Sequence, residues 1–137
     1  MSCIHIQGTR RTGDSAPFRF LGKKDRAAEV AANAKHENRA IRAAAAASPH
    51  ADQDTLWKLG HDSELTVRQW VARNPKTELT LLWDMATDTD FSVRALVAWN
   101  PNADTELLGH MLNDSNLTVC RMAQTVLDNT LGYVYSS

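Results

Sequence analysis

The sequence predicts an all-α fold: a right-handed α-solenoid of about four 26-residue two-helix repeats behind an irregular N-terminal arm. Three observations carry this expectation. Four columns of residues recur with one 26-residue period. Within each period the apolar residues follow helical spacing. Polar and proline stop signals separate the helices. The columns are Ile41-Arg42, Val67-Arg68, Val93-Arg94 and Val119; Ser48-Pro49, Asn74-Pro75 and Asn100-Pro101; Asp62, Asp88 and Asp114; and Leu56, Leu82 and Leu108, with Val30 one period earlier.

Residues 1–22 lie outside the period and read as a basic arm, interrupted by Gly8, Gly13, Pro17 and Gly22 and carrying Arg10, Arg11 and Arg19. The helical domain is expected over 23–137, with repeats near 36–61, 62–87, 88–113 and 114–131, preceded by a half-repeat helix over 25–35. In the first repeat Ala43 to Ala47 stand where bulkier residues follow later. Alanine favours helix but leaves little to bury, which predicts a close helix approach.

The second repeat shows the pattern most fully. Its first helix is expected from Leu65 to Arg73, with Val67 and Val71 at i and i+4. Asp62-Ser63 precede it, as Asp88-Thr89 and Asp114-Ser115 precede the next two, offering N-capping oxygens. Asn74-Pro75 ends it, because a residue before proline is pushed out of the helical region. The second helix is expected from Thr77, as its cap, to Ala86, with Leu79, Leu82, Met85 and Ala86 on one face. Asp104 or Ala103 takes the capping place one repeat later. In the last repeat Cys120 replaces the arginine and Val126-Leu127 replaces Asn-Pro, as terminal repeats do. Helices below ~12–15 residues are marginal alone, so stacking must supply the stability.

The string Val-Arg-x-x-Val-Ala-x-Asn-Pro, followed by a leucine helix and an aspartate, resembles the leucine-rich repeat variant group, an all-helical repeat family akin to HEAT repeats. Val67-Arg68, Val71-Ala72, Asn74-Pro75, Leu82 and Asp88 carry the resemblance in one repeat. Val93-Arg94, Val97-Ala98, Asn100-Pro101, Leu108 and Asp114 carry it in the next. It covers about residues 36–131. The repeat is slightly longer than the family's usual one, which leaves α and 3₁₀ forms open for the second helix. The resemblance implies a fold and a binding role, and no reaction.

The chain has 137 residues, of which 43% are apolar and 23% charged, which fits one globular domain. The start, Met1 to Gly8, has no apolar signal-peptide region, and apolar runs such as Ala43 to Ala47 fall far short of a membrane span. A cytoplasmic protein without membrane contact is the expectation. Cys3 and Cys120 cannot form a disulfide framework, and the five histidines lack metal-ligand spacing. Neither a phosphate-binding glycine loop nor a nucleophile elbow occurs. Asp52/Asp54 and Asp88/Asp90 sit at helix starts, where capping accounts for them. No enzyme activity, metal or cofactor is expected.

Charge is divided unevenly. Residues 1–48 carry nine Lys/Arg against four Asp/Glu, and residues 49–137 carry six against twelve. The column Arg42, Arg68 and Arg94 fits two roles: a brace to Asp62, Asp88 and Asp114, or a cationic ridge for phosphates. Trp57 and Trp83, one period apart, likewise either fill gaps between helices or form an exposed strip for a partner. The leading functional expectation is a non-enzymatic protein-binding module, an adaptor or inhibitor such as an anti-defence protein. Its contacts would be Trp57, Trp83, Asp84, Asp88, Asp90, Asp104 and Glu106, the acidic groups competing for a basic, nucleic-acid-binding surface. The alternative is a HEAT-like nucleic-acid binder using Arg10, Arg11, Arg19, Lys23, Lys24, Arg42, Arg68 and Arg94.

Overall fold

The computed structural model describes residues 22–136, and among them the chain is all α, with eight helices and no strand. They are α1 (Lys23–Asn33), α2 (Arg39–Ala47), α3 (Gln53–Gly60), α4 (Leu65–Arg73), α5 (Leu79–Met85), α6 (Phe91–Trp99), α7 (Thr105–Met111) and α8 (Leu117–Ser136). The second helix of each pair is α-helical rather than 3₁₀. None of the described helices is long and apolar enough to cross a membrane.

Helices α2, α4, α6 and α8 pack each against the next, and α3, α5 and α7 lie beside them. The period of 26 makes equivalent residues meet in one core. Leu56, Leu82 and Leu108 are buried, as are Val67, Val93 and Val119. Ala46, Ala72 and Ala98 are fully buried at a third equivalent position, where a longer side chain would push neighbouring helices apart. Gly60 serves the same end, since a Cβ there would lie 3.2 Å from Leu81 Cδ1. In the alanine stretch, Ala43, Ala45 and Ala46 are buried while Ala44 and Ala47 face solvent.

Two polar ladders bind one helix pair to the next, one at each type of turn. Between pairs, Arg42, Arg68 and Arg94 each reach an aspartate 20 residues on, with Nε to Oδ2 at 2.8 Å in all three. The Nη2 groups donate to the second carboxylate oxygen at 3.0–3.3 Å, giving a two-point fork. The Nη1 groups donate to backbone carbonyls, those of His36 and Glu37, Asp62 and Ser63, and Asp88. Arg94 holds the Asp114 carboxyl below the ordinary aspartate range. At Asp62 burial pushes the other way, but bonding from Arg42 and the Glu64 amide outweighs it.

The second ladder lies at the Asn-Pro turns. Buried Asn74 donates from Nδ2 to the carbonyls of Ala46 (2.7 Å) and Ser48 (3.1 Å). Asn100 repeats this toward Ala72 (2.7 Å) and Asn74 (3.0 Å). Their Oδ1 atoms accept from the amides of Lys76 and Asn102. Asparagine therefore does more than precede proline: it closes the open carbonyl end of the helix one pair earlier. At the last pair Val126-Leu127 offers no such amide, and α8 runs on through them to Ser136, 20 residues in all.

Several expected caps fall elsewhere. The aspartates Asp62, Asp88 and Asp114 are not N-caps; Asn38 and Asp90 cap α2 and α6, and Asn116 bonds the Thr118 amide at the start of α8. The aspartates sit three residues before the first helical residue, accepting from the amides of Glu64, Asp90 and Asn116 while bonding arginine. Thr77 does not cap α5, whose N-cap is Glu78; its hydroxyl donates to the Val71 carbonyl at 2.6 Å, closing α4 instead. Asp104, not Ala103, caps α7 through the Leu107 amide, as Asp52 caps α3 through Thr55.

Candidate protein-interaction surface

The second helices carry an aromatic ridge. Trp57 in α3 is 47% exposed, and its ring centroid lies 5.2 Å from that of His61, one turn on. His61 Nδ1 lies 2.8 Å from the Trp57 carbonyl, and its Nε2 lies 2.7 Å from Asp84 Oδ2 in α5. Trp83, beside Asp84, is half-buried against the core, and its ring sits 5.4 Å from His110 of α7. Indole, imidazole and carboxylate thus alternate across three helices. The rings gain edge and face contact without full burial, which leaves them open to a partner.

Of the expected acidic rim, Asp84 faces solvent beside the rings, and Asp104 and Glu106 are exposed at the start of α7. Asp88 is a correction: its side chain is only 9% exposed and is bonded to Arg68, so it offers no rim contact. Asp90 is likewise engaged, capping α6 through the Ser92 amide; bonding by the Ser92 hydroxyl and amide holds its carboxyl below the ordinary range.

Of the two roles open to the arginine column, the ion pairs match the brace. Arg42, Arg68 and Arg94 act as the brace, with their side chains 17%, 16% and 13% exposed and their donors bonded to carboxylates and carbonyls. They present no free row of guanidinium groups to phosphate. Lys23 and Lys24 are exposed at the start of α1. Arg10, Arg11 and Arg19 lie outside the described residues, as do Cys3 and His5. Among the described residues no cluster of three potential metal ligands occurs.

His61 and His110 belong to the ridge although, as histidines, the sequence weighed them only as metal ligands. The available signal was spacing: His61 stands four residues after Trp57, one helical turn, and His110 stands 27 after Trp83. Gap filling, the other expectation for the tryptophans, suits Trp83 in part; Trp57, Trp70 and Trp99 are 47%, 36% and 60% exposed. Comparison with protein-family models, curated proteins and solved structures finds no match to this chain.

Proposed function

We propose that this chain is a non-enzymatic protein-binding module: a right-handed α-solenoid of about four repeats, of the leucine-rich repeat variant type, that docks in the cytoplasm as an adaptor or inhibitor on a larger assembly. The observation that carries the proposal is the ridge Trp57, His61, Trp83 and His110, with Asp84 bonded into it. Large aromatic rings are costly to leave in water, and they dominate the energetics of protein interfaces when a polar rim surrounds them. Asp84 edges the rings, and Asp104 and Glu106 are exposed at the start of the helix that carries His110; these acids favour a partner with a basic face. An anti-defence inhibitor that covers a nucleic-acid-binding surface would have this character. The repeats leave the function to the surface, because both ladders are engaged within the stack.

A nucleic-acid binder is the rival, and salt dependence separates the two. Random duplex DNA titrated with the full chain between about 0.05 and 0.2 M salt is expected to show no specific saturation and a shallow slope. Several phosphate contacts through the arm would give tight binding that falls steeply with salt, and that result would move the function to Arg10, Arg11 and Arg19.

A further inference from the structure

A second group of exposed aromatic side chains lies away from the ridge, on the first helices and their Asn-Pro turns. Arg73, the last residue of α4, places its guanidinium carbon 4.6 Å above the Trp70 ring centroid. Arg73 then edges a cleft of about 430 Å³, lined also by Pro75, Leu96, Trp99, Asn100 and Pro101. Trp99, at the end of α6, is 60% exposed, the most of any tryptophan.

Two features set this cleft apart from a chance apolar surface. The first is its charge. Arg39, Arg42, Arg68 and Arg94 are each paired with a carboxylate, whereas Arg73 makes no ion pair among the described residues, and no carboxylate lines the cleft. The second is its rigidity. Asn100 bonds the Asn74 carbonyl at 3.0 Å, so the turns bearing Pro75 and Pro101 are tied together before any ligand arrives. A preorganised groove loses little entropy on binding.

We infer that this cleft binds a proline-rich protein segment carrying an acidic residue. Extended proline segments are stiff before binding, and their rings pack flat against indole and pyrrolidine walls. Trp99, Pro75 and Pro101 supply those walls, and Leu96 an apolar lining. Arg73, held in orientation by Trp70, supplies the single cation that selects an acidic neighbour. A nucleic-acid strand fits less well, since the cleft is lined by one cation and residues 49–137 carry twelve acids against six Lys/Arg. This site goes beyond the function proposed above, because it uses none of the ridge residues.

The test is fluorescence anisotropy with the full chain and three labelled probes at about 0.15 M salt: an oligoproline ending in glutamate, the same peptide ending in lysine, and oligothymidine. The glutamate peptide is expected to bind at least about fivefold more tightly than the lysine peptide. Arg73→Gln should erase that difference, and Trp99→Ala should weaken both peptides about tenfold. Trp57→Ala should leave peptide binding unchanged, which separates this site from the ridge. Arg73 is exposed, so Arg73→Gln decides the matter even where Trp99→Ala loses stability. No peptide binding at about 1 mM protein, equal binding of both peptides, or tighter binding of oligothymidine would each overturn the inference. So would a wild-type dimer that Trp99→Ala dissociates, since a second copy would then occupy the cleft.

Discussion

Leu82→Ala is expected to destabilise the chain by about 2–5 kcal/mol, read as a lower urea midpoint with an unchanged slope. Leu82 is fully buried in α5, between the equivalent buried Leu56 and Leu108. Its loss removes the transfer energy of the side chain and leaves a cavity that neighbours on both sides cannot close, because those sites are themselves filled. The same substitution at exposed Leu117 should change the midpoint little. An unchanged midpoint for Leu82→Ala would show that the leucine column is not the core.

Asn100→Ala is expected to cost about 3 kcal/mol although it removes no apolar surface. The side chain serves three backbone groups: the carbonyls of Ala72 and Asn74 and the amide of Asn102. Alanine strands those groups where water has poor access, since Asn100 is itself 3% exposed. Asn100→Asp should also be destabilising, because a carboxylate cannot donate to the two carbonyls. If either variant matched the wild type in urea, the turn ladder would be incidental to stability.

These two variants also mark how far the fold was legible in the sequence. The apolar columns were readable because helical spacing and a common period act on the same residues, and the first helix from Leu65 to Arg73 falls where its pattern placed it. The asparagine ladder was not. Asn74-Pro75 carries a local stop signal strong enough to account for both residues, and a bond to a carbonyl 28 residues earlier has no local signature. The aspartates were legible in part: the period they share with the arginines pointed to the brace, but an acid just before a helix also reads as a cap, and that place falls to Asn38 and Asp90 instead. Of the ridge, Trp57 and Trp83 were visible through their period, whereas the packing of His110 on Trp83 depends on how α5 and α7 meet. The cleft at Trp99 arises from two turns and two helices together, and no single stretch of sequence displays it.

The proposed function is tested most directly by partner capture from native lysate, quantified by mass spectrometry. The comparison is among wild type, Trp57→Ala and Arg10→Ala/Arg11→Ala, with the thermal midpoint of each measured in parallel. Trp57 is 47% exposed, so alanine there should leave the fold intact and report on binding rather than stability. The expected result is a folded Trp57→Ala that loses about tenfold or more of the protein partner, with the arginine variant retaining it. A folded Trp57→Ala with full capture, alongside an arginine variant that captures nothing, would contradict the ridge and place the function on the N-terminal arm.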